Sequence, residues 1–403
     1  MRTHGYLGLF RHSEFRALWI GSALGVAATT MASLTLGSLV YAATGSAFLT
    51  AAAMFGPSVV QMIGATTLMS AADTTAPRPV LTAIAGVMSV ALILQTGFEL
   101  SPGLRLTIVL AAACVMSVAN GVRWGLLSEV LPAEHYALAR SAMNISVGAM
   151  QIAGFAVGGT LLHVLTEAQV FWLAAAVAAL AVPVTWFGVE DHRPRRATRT
   201  GITATWRANR TLLQLPSTRP LLLALCVPNG LIAGCEALFI PYAGDDAAAL
   251  FVAAAVGMLA GDVLVGRALD ETQRRRSAAW LRVWLALPFL LFAVQPGALL
   301  AAMLTGTACL GYGASLAQQE LLVKLTPPSL TGQLLGVDAA ARVTCQGLGA
   351  LLAGVVAELV TVGNAIALLA LASVLVSLAL TPALARVRER ATTVGRPARP
   401  ATC

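Results

Sequence analysis

Asp338 and Arg342 stand four residues apart in GVDAAARVTCQ, a stretch inside an apolar run from about Leu330 to Val360. On a helix that spacing puts acid and base on one face, and Gln346 continues the face one turn further. Two readings stay open. The pair can be a permanent intrahelical ion pair, or it can open when an anionic substrate or a proton arrives, leaving Arg342 as a fixed charge. Glu236 differs, because no basic residue lies within one turn of it. A carboxyl without a partner in apolar surroundings can take up and release a proton, although pairing with Arg123 or Arg342 would give Glu236 a static role. Arg123 and Asp262 are further charges deep within apolar runs. Asn120, Asn144, Gln151, Asn229, Gln318, Gln319 and Gln346 add donors and acceptors that can orient a polar ligand.

These groups need elements that carry them through a bilayer. Of the 403 residues 58% are hydrophobic and 11% charged, and the mean hydropathy is +0.79, which excludes a soluble globular domain. Apolar runs long enough to span fall near 17–42, 47–72, 79–98, 105–128, 138–163 and 169–188, then 219–242, 247–268, 279–295, 298–322, 331–359 and 362–385,. The expectation is an all-α polytopic membrane protein of twelve helices. Charges inside such helices cost roughly 2.5–3.5 kcal/mol each on insertion scales, so they face a cavity or a partner. Pro228 and Gly230, in the run that carries Glu236, predict an interruption of that helix.

With the N-terminus inside, the inner segments hold Arg2, Arg11, Arg16, Arg78, Arg140, the clusters at 193–219 and 267–282, Lys324, and the arginines at 386–399; the outer loops hold only Arg105. Positive loops stay in the cytoplasm, so both termini are expected there and the protein in a cell membrane. The net charge of +8 is then a matter of anionic lipid and not of nucleic acid. The first apolar run is too long for a signal peptide, and no small-residue cleavage site follows it. Cys114, Cys226, Cys235, Cys309 and Cys345 fall in spans without paired or metal-like spacing, so disulfides and a metal site are not expected.

The chain repeats itself. At an offset of 195, Leu127, Pro132, Gln151, Gly154 and Gly159 land on Leu322, Pro327, Gln346, Gly349 and Gly354; at 197, Gly64, Asp73 and Arg78 land on Gly261, Asp270 and Arg275. Six spans per half preserve orientation, so the halves are parallel repeats about an axis along the membrane normal. The expected organisation is a six-helix half at 1–189, a basic linker at 190–218, a second half at 219–385 and a disordered cytoplasmic tail at 386–403. Within the linker, TWRANRTLLQL fits either a short interfacial helix, with Trp206 and the leucines in the membrane surface, or plain basic chain.

Several stretches together resemble the major facilitator superfamily, in particular its drug and metabolite exporter branches. FRALWIGSALG…LVYAATGSAF is similar to the opening of those exporters. MSAADTTAPR, with Asp73 and Arg78, keeps part of the loop motif Gly-x-x-x-Asp-Arg-x-x-Arg-Arg; GRALDETQRR keeps more, in Gly266, Asp270, Arg274 and Arg275. GFAVGG resembles the exporter motif Gly-Pro-x-x-Gly-Gly through Gly154, Gly158 and Gly159, with Phe155 in the proline position. The resemblance implies an antiporter that couples efflux of a drug or metabolite to protons, with drug resistance as one outcome. It also implies loop acids and arginines that latch one conformation, and cavity-lining spans 1, 4, 7 and 10 flanked by 2, 5, 8 and 11. The motif glycines would allow close helix approach and bending at the contact between halves. Spans 3, 6, 9 and 12 carry no central charges, in keeping with that arrangement. Exporters of this kind often carry an acid after the position of Gly25, where this chain has Val26, so coupling through the first span is not expected.

No phosphate-binding loop surrounds Lys324, the one lysine, and no acid or histidine cluster suggests an embedded enzyme. A secondary transporter without cofactor, acting as a monomer, is the expectation. Uptake of a nutrient and a non-transporting sensor are the alternatives.

Overall fold

The computed structural model describes residues 6–74, 76–96, 100–192, 210–212, 214–215, 217–326 and 331–394. In the first half the helices are α1 (Ser13–Thr44), α2 (Ala47–Thr74), α3 (Pro77–Thr96), α4 (Pro102–Val130), α5 (Ala133–Leu162) and α6 (Glu167–Gly188). In the second, α7 (Thr218–Ala237) is extended by the short helix Phe239–Ala243, and α8 spans Ala247–Ala268. Next, α9 joins Glu271–Trp284 to a 3-10 segment, Leu287–Val294, and α10 runs from Ala298 to Lys324 with a 3-10 turn at Leu310–Gly313. Last come α11 (Thr331–Ala357) and α12 (Val362–Val394). Among the described residues nine stretches are long and apolar enough to cross a membrane; one of them, Thr218–Ala268, is 51 residues long, and Ala47–Gln61 and Pro102–Ser117 are shorter apolar runs.

Local signals set the helix starts. Ser101 accepts a hydrogen bond from the Leu104 amide, with Pro102 at the first position, and opens α4; a reciprocal capping box between Thr166 and Gln169 opens α6,. Gly45, at φ 63°, ends α1 in the left-handed region that glycine occupies without strain,. Three expectations need correction. Helix α12 runs to Val394, so residues 386–394, expected as the start of a disordered tail, are helical. The ninth span begins at Glu271, eight residues before its apolar run, because Asp270 and Gln273 form a capping box. Helix α7 continues through Pro228 and Gly230 and breaks instead at Leu238.

Helix pairing shows the duplication. α1 packs on α5 and α6, α2 on α4, and α3 on α4 and α6; six helices later α7 packs on α11 and α12, α8 on α10, and α9 on α10 and α12. Two seams, α2 on α11 and α5 on α8, join the halves and exchange under the same shift. In the alternating bundle, the starts of α1 and α7 and the last turn of α12 share one end, here the termini end; the α1–α2 and α11–α12 connections lie at the far end. Among the described residues, side-chain contacts between the halves gather toward the far end. Phe155 stacks on Phe251 with centroids 4.5 Å apart. Leu34, Ala47 and Met54 belong to one core with Ile232, Ile240 and Phe251, and Ala51 packs with Ala237 and Ala350. Glu358 accepts hydrogen bonds from the Ser46 hydroxyl at 2.7 Å and the Phe48 amide at 3.2 Å. These last two bonds cap the start of α2 with an acid from the other half.

Candidate functional site

The acid and arginine that open the sequence argument do meet. Arg342 Nη2 lies 3.0 Å from Asp338 Oδ2; the Asp338 side chain is 1% exposed and that of Arg342 26%. Gln319, on α10, donates to the same Oδ2 at 2.9 Å. Asp338 Oδ1 is buried without a partner among the described residues, so one oxygen holds two donors and the other is left open. Asp262, on α8, is exposed and within electrostatic reach of Arg342. The partly exposed guanidinium is therefore held on its own helix by a buried carboxylate and senses a second acid on α8. Gln346 donates at 2.8 Å to Asn229 of α7, which ties α11 to α7 one turn beyond Arg342.

Helix α7 and α11 approach closely enough for this because both carry glycine. A Cβ on Gly349 would fall on the Gly230 carbonyl, and one on Gly230 on the Cys345 carbonyl. At the same contact Cys226 and Cys345 belong to one apolar cluster, and both are free. Their separation in sequence conceals this neighbourhood.

Glu236 has a different environment from either static alternative. Its Oε1 accepts from the Tyr312 hydroxyl at 3.2 Å and meets Cys309 Sγ at 4.0 Å; neither Arg123 nor Arg342 pairs with it in this structure. Tyr312, which the sequence reading did not single out, sits in the 3-10 turn of α10 and turns its hydroxyl onto the acid. The available signal was a lone polar aromatic between Gly311 and Gly313 in an apolar span.

The remaining candidates divide. Arg123 Nη1 contacts Ser22 Oγ at 3.3 Å and lines a cavity within the first half with Leu18, Leu81 and Thr185. Gln318 does not share the space of Arg342; it is 5% exposed and lines a cavity within the second half beside Arg275 and Arg282. Adjacent residues on a helix point about 100° apart, so when Gln319 turns to Asp338, Gln318 turns away. Gln151 is half-buried on α5. The side chains of Asn120, Asn144 and Asp73 lie outside the described residues.

The loop motif takes an unexpected form. Asp270 Oδ1 accepts from the Gln273 amide at 2.8 Å, the geometry of a helix cap. Arg274 bonds the Gly266 and Leu269 carbonyls at 3.3 and 3.0 Å and pairs with Glu320 at 3.0 Å, all within the second half. Arg78 stacks on the Trp186 ring, 4.5 Å from its centroid. Of the motif glycines, Gly154 and Gly158 face Thr30 and Met31 of α1, within their own half, and only Gly159 faces the other half, at Ala248 of α8. The expected interfacial helix lies partly outside the described residues; Leu212 and Leu215, its described leucines, pack with Leu221 and Leu225 of α7.

No protein-family model matches the sequence, and no curated protein does. Solved structures do. A POT family transporter in complex with 5-aminolevulinic acid superposes with a TM-score of 0.77 at 9% identity, covering 95% of this chain and 98% of that one. The nucleoside transporter NupG gives 0.73 at 13%, covering 92% and 99%. A bacterial homolog of the human lysosomal transporter Spinster, inward-facing and unoccupied, gives 0.68 at 14%, covering 95% and 97%. Identities this low carry the fold alone, and the fold agrees with the helix pairing found above: the chain has the all-α, two-half architecture of major facilitator transporters.

Proposed function

We propose that the protein is a secondary transporter that exports a small anionic or zwitterionic organic molecule in exchange for protons, by alternating access. One observation supports this reading: among the described residues the contacts between the halves gather toward the far end, while Arg342 stays partly exposed and held by a buried acid. Two rigid halves with a closed seam at one end can rock to close the other. Twelve crossings, halves at 1–189 and 219–385 with a linker at 190–218, and cytoplasmic termini belong to this reading. The arginine-rich termini end is then the cytoplasmic one, and the cavity opens inward.

In the mechanism Arg342 is the fixed cation for the substrate's negative group, and Asp338 is its resident counter-ion until the substrate displaces it. Glu236 carries the proton: its near neighbours Tyr312 and Cys309 are neutral, so no fixed cation holds it permanently as a carboxylate. The free Oδ1 makes Asp338 the second candidate. A POT family structure holds a thioalcohol-conjugated peptide and another 5-aminolevulinic acid, which supports, as a second reading, uptake of a small organic molecule through the same site. The deciding experiment follows labelled candidates in inverted vesicles under an imposed pH gradient, with and without an uncoupler. Accumulation that the uncoupler abolishes is expected; label that never moves leaves a sensor. Glu236→Gln is expected to keep binding and exchange but to lose gradient-driven accumulation, and unchanged accumulation would remove Glu236 as the carrier.

A further inference from the structure

The two cavities inside the halves are related by the repeat. The first is bounded by α1, α3, α4 and α6, the second by α7, α9, α10 and α12, which are the same helices six places on. The sequence offset of 195 places Arg123 onto Gln318, and these residues line the two cavities from equivalent positions. In the first the positive charge comes from the fourth helix of the half; in the second that position is an amide and the charge has moved to the third, α9, as Arg275 and Arg282.

We propose that the second cavity is a binding site for a phosphate-type anion, separate from the Arg342 site. Arg275 and Arg282 are seven residues apart, two helical turns, so both present the same face of α9 to it. Leu221, Leu321 and Leu384 form apolar walls, the Thr381 hydroxyl donates to the Ser377 carbonyl of its own helix at 2.8 Å, and no carboxylate is among the described residues that line it. Neither arginine is free of other interactions. Gln318 Nε2 is a buried donor in this lining without a hydrogen-bond partner among the described residues. A buried amide N–H left unpaired is destabilising, and an acceptor brought in from outside would satisfy it. The cavity volume is about 60 Å³, suited to a tetrahedral headgroup and too small for an organic substrate.

Position points to where the anion comes from. Gln318 lies six residues before Lys324 and Arg275 four after Glu271, so both are within about 10 Å of the termini end, at the depth of a lipid phosphate. Basic pockets between helices on that side suit anionic headgroups. A free phosphate or phosphate ester has the same chemistry and is the other source.

The test uses the full-length chain, delipidated and placed in phosphatidylcholine nanodiscs with or without phosphatidylglycerol, or with inorganic phosphate added. Native mass spectrometry reads retained lipid, and thermal unfolding reads stabilisation. Phosphatidylglycerol is expected to be retained and to raise the unfolding temperature. Gln318→Leu and Arg275→Gln are each expected to weaken retention about tenfold, the effect of one hydrogen bond to a charged group. Arg276→Gln, exposed and outside the cavity, serves as the control and is expected to bind like the parent chain. Stabilisation by inorganic phosphate alone, lost in the same two variants, assigns the site to a soluble phosphate. Gln318→Leu introduces no charge and matches the apolar walls, so it keeps the test open should Arg275→Gln fold poorly. If neither probe stabilises the chain, or both variants bind like the parent, the proposal is overturned.

Discussion

Arg342 and Glu236 illustrate two ways of placing an ionisable group in an apolar helix. Arg342 is compensated on its own helix by Asp338, and that acid is fixed in turn by Gln319. Removing one member of a buried pair strands the other, which costs about 3–5 kcal/mol. Arg342→Gln is therefore expected to abolish transport while the protein still folds, because Asp338 can take up a proton; Arg342→Lys recovers part of it, since an ammonium lacks the planar fork. Full activity in the double variant Asp338→Asn/Arg342→Gln would make the pair structural. Glu236 has only neutral donors. Tyr312→Phe removes a hydrogen bond worth about 1.5–3 kcal/mol to a charged acceptor, and is expected to slow gradient-driven accumulation roughly tenfold or more while exchange without a gradient continues. Equal slowing of both would show that Tyr312 shapes the substrate site.

At the scale of elements, α7 and α11 form a contact that tolerates no side chain at its centre. Gly349→Ala would drive a methyl into the Gly230 carbonyl, and backbone cannot yield as a side-chain end does, so a loss at or above the 1–3 kcal/mol typical of overpacking is expected. Gly336→Ala, on the same helix with nothing within 4 Å, is expected to be neutral or to stabilise by about 0.5–1 kcal/mol. Thermal unfolding of the two variants in one detergent checks the contrast; equal melting points would refute the close approach. The contrast also marks what was legible. The all-helical class followed from apolar length, because a bilayer sets how long a span must be, and the two-half repeat from residues recurring at a fixed offset. The ninth helix start was missed although Asp270-x-x-Gln273 is a legible cap, since the apolar run begins later and the arginines between suggested a loop. Gln318 and Gln319 were indistinguishable in sequence, because the rotation of a helix buried on several sides leaves no periodic signature; Gln319 faces Asp338 only through packing. The meetings of Tyr312 with Glu236 and of Cys226 with Cys345 depend on which spans touch, and no local pattern encodes that.

For the whole molecule, alternating access requires that the far-end seam open. Its most exposed part is the Glu358 clasp, in which Ser46 and Phe48 of the first half donate to an acid of the second. These hydrogen bonds, the Ser46 hydroxyl first, hold the Glu358 carboxyl below its ordinary range. Lowering means that the closed seam prefers the charged form: the clasp contributes above the ordinary carboxylate range and is lost as pH falls through the lowered value. Acid on the far side thus favours opening there, the direction needed if protons enter from that side. Glu358→Gln is expected to remove this dependence. The reporter is Ala51→Cys, fully buried between the halves, in a chain whose other cysteines are alanine. A hydrophilic thiol reagent is expected to label it faster at acid pH, corrected for intrinsic thiol reactivity, and Glu358→Gln to flatten that profile. Joining Ser46→Cys to Glu358→Cys with a short cleavable dithiol cross-linker is a stricter test. The cross-linked chain is expected to bind substrate from the termini side and to lose at least about tenfold in transport, with recovery on reduction. Transport at the uncross-linked rate would mean that the far end need not open, and the rocking of two halves about this seam would not be how the protein works.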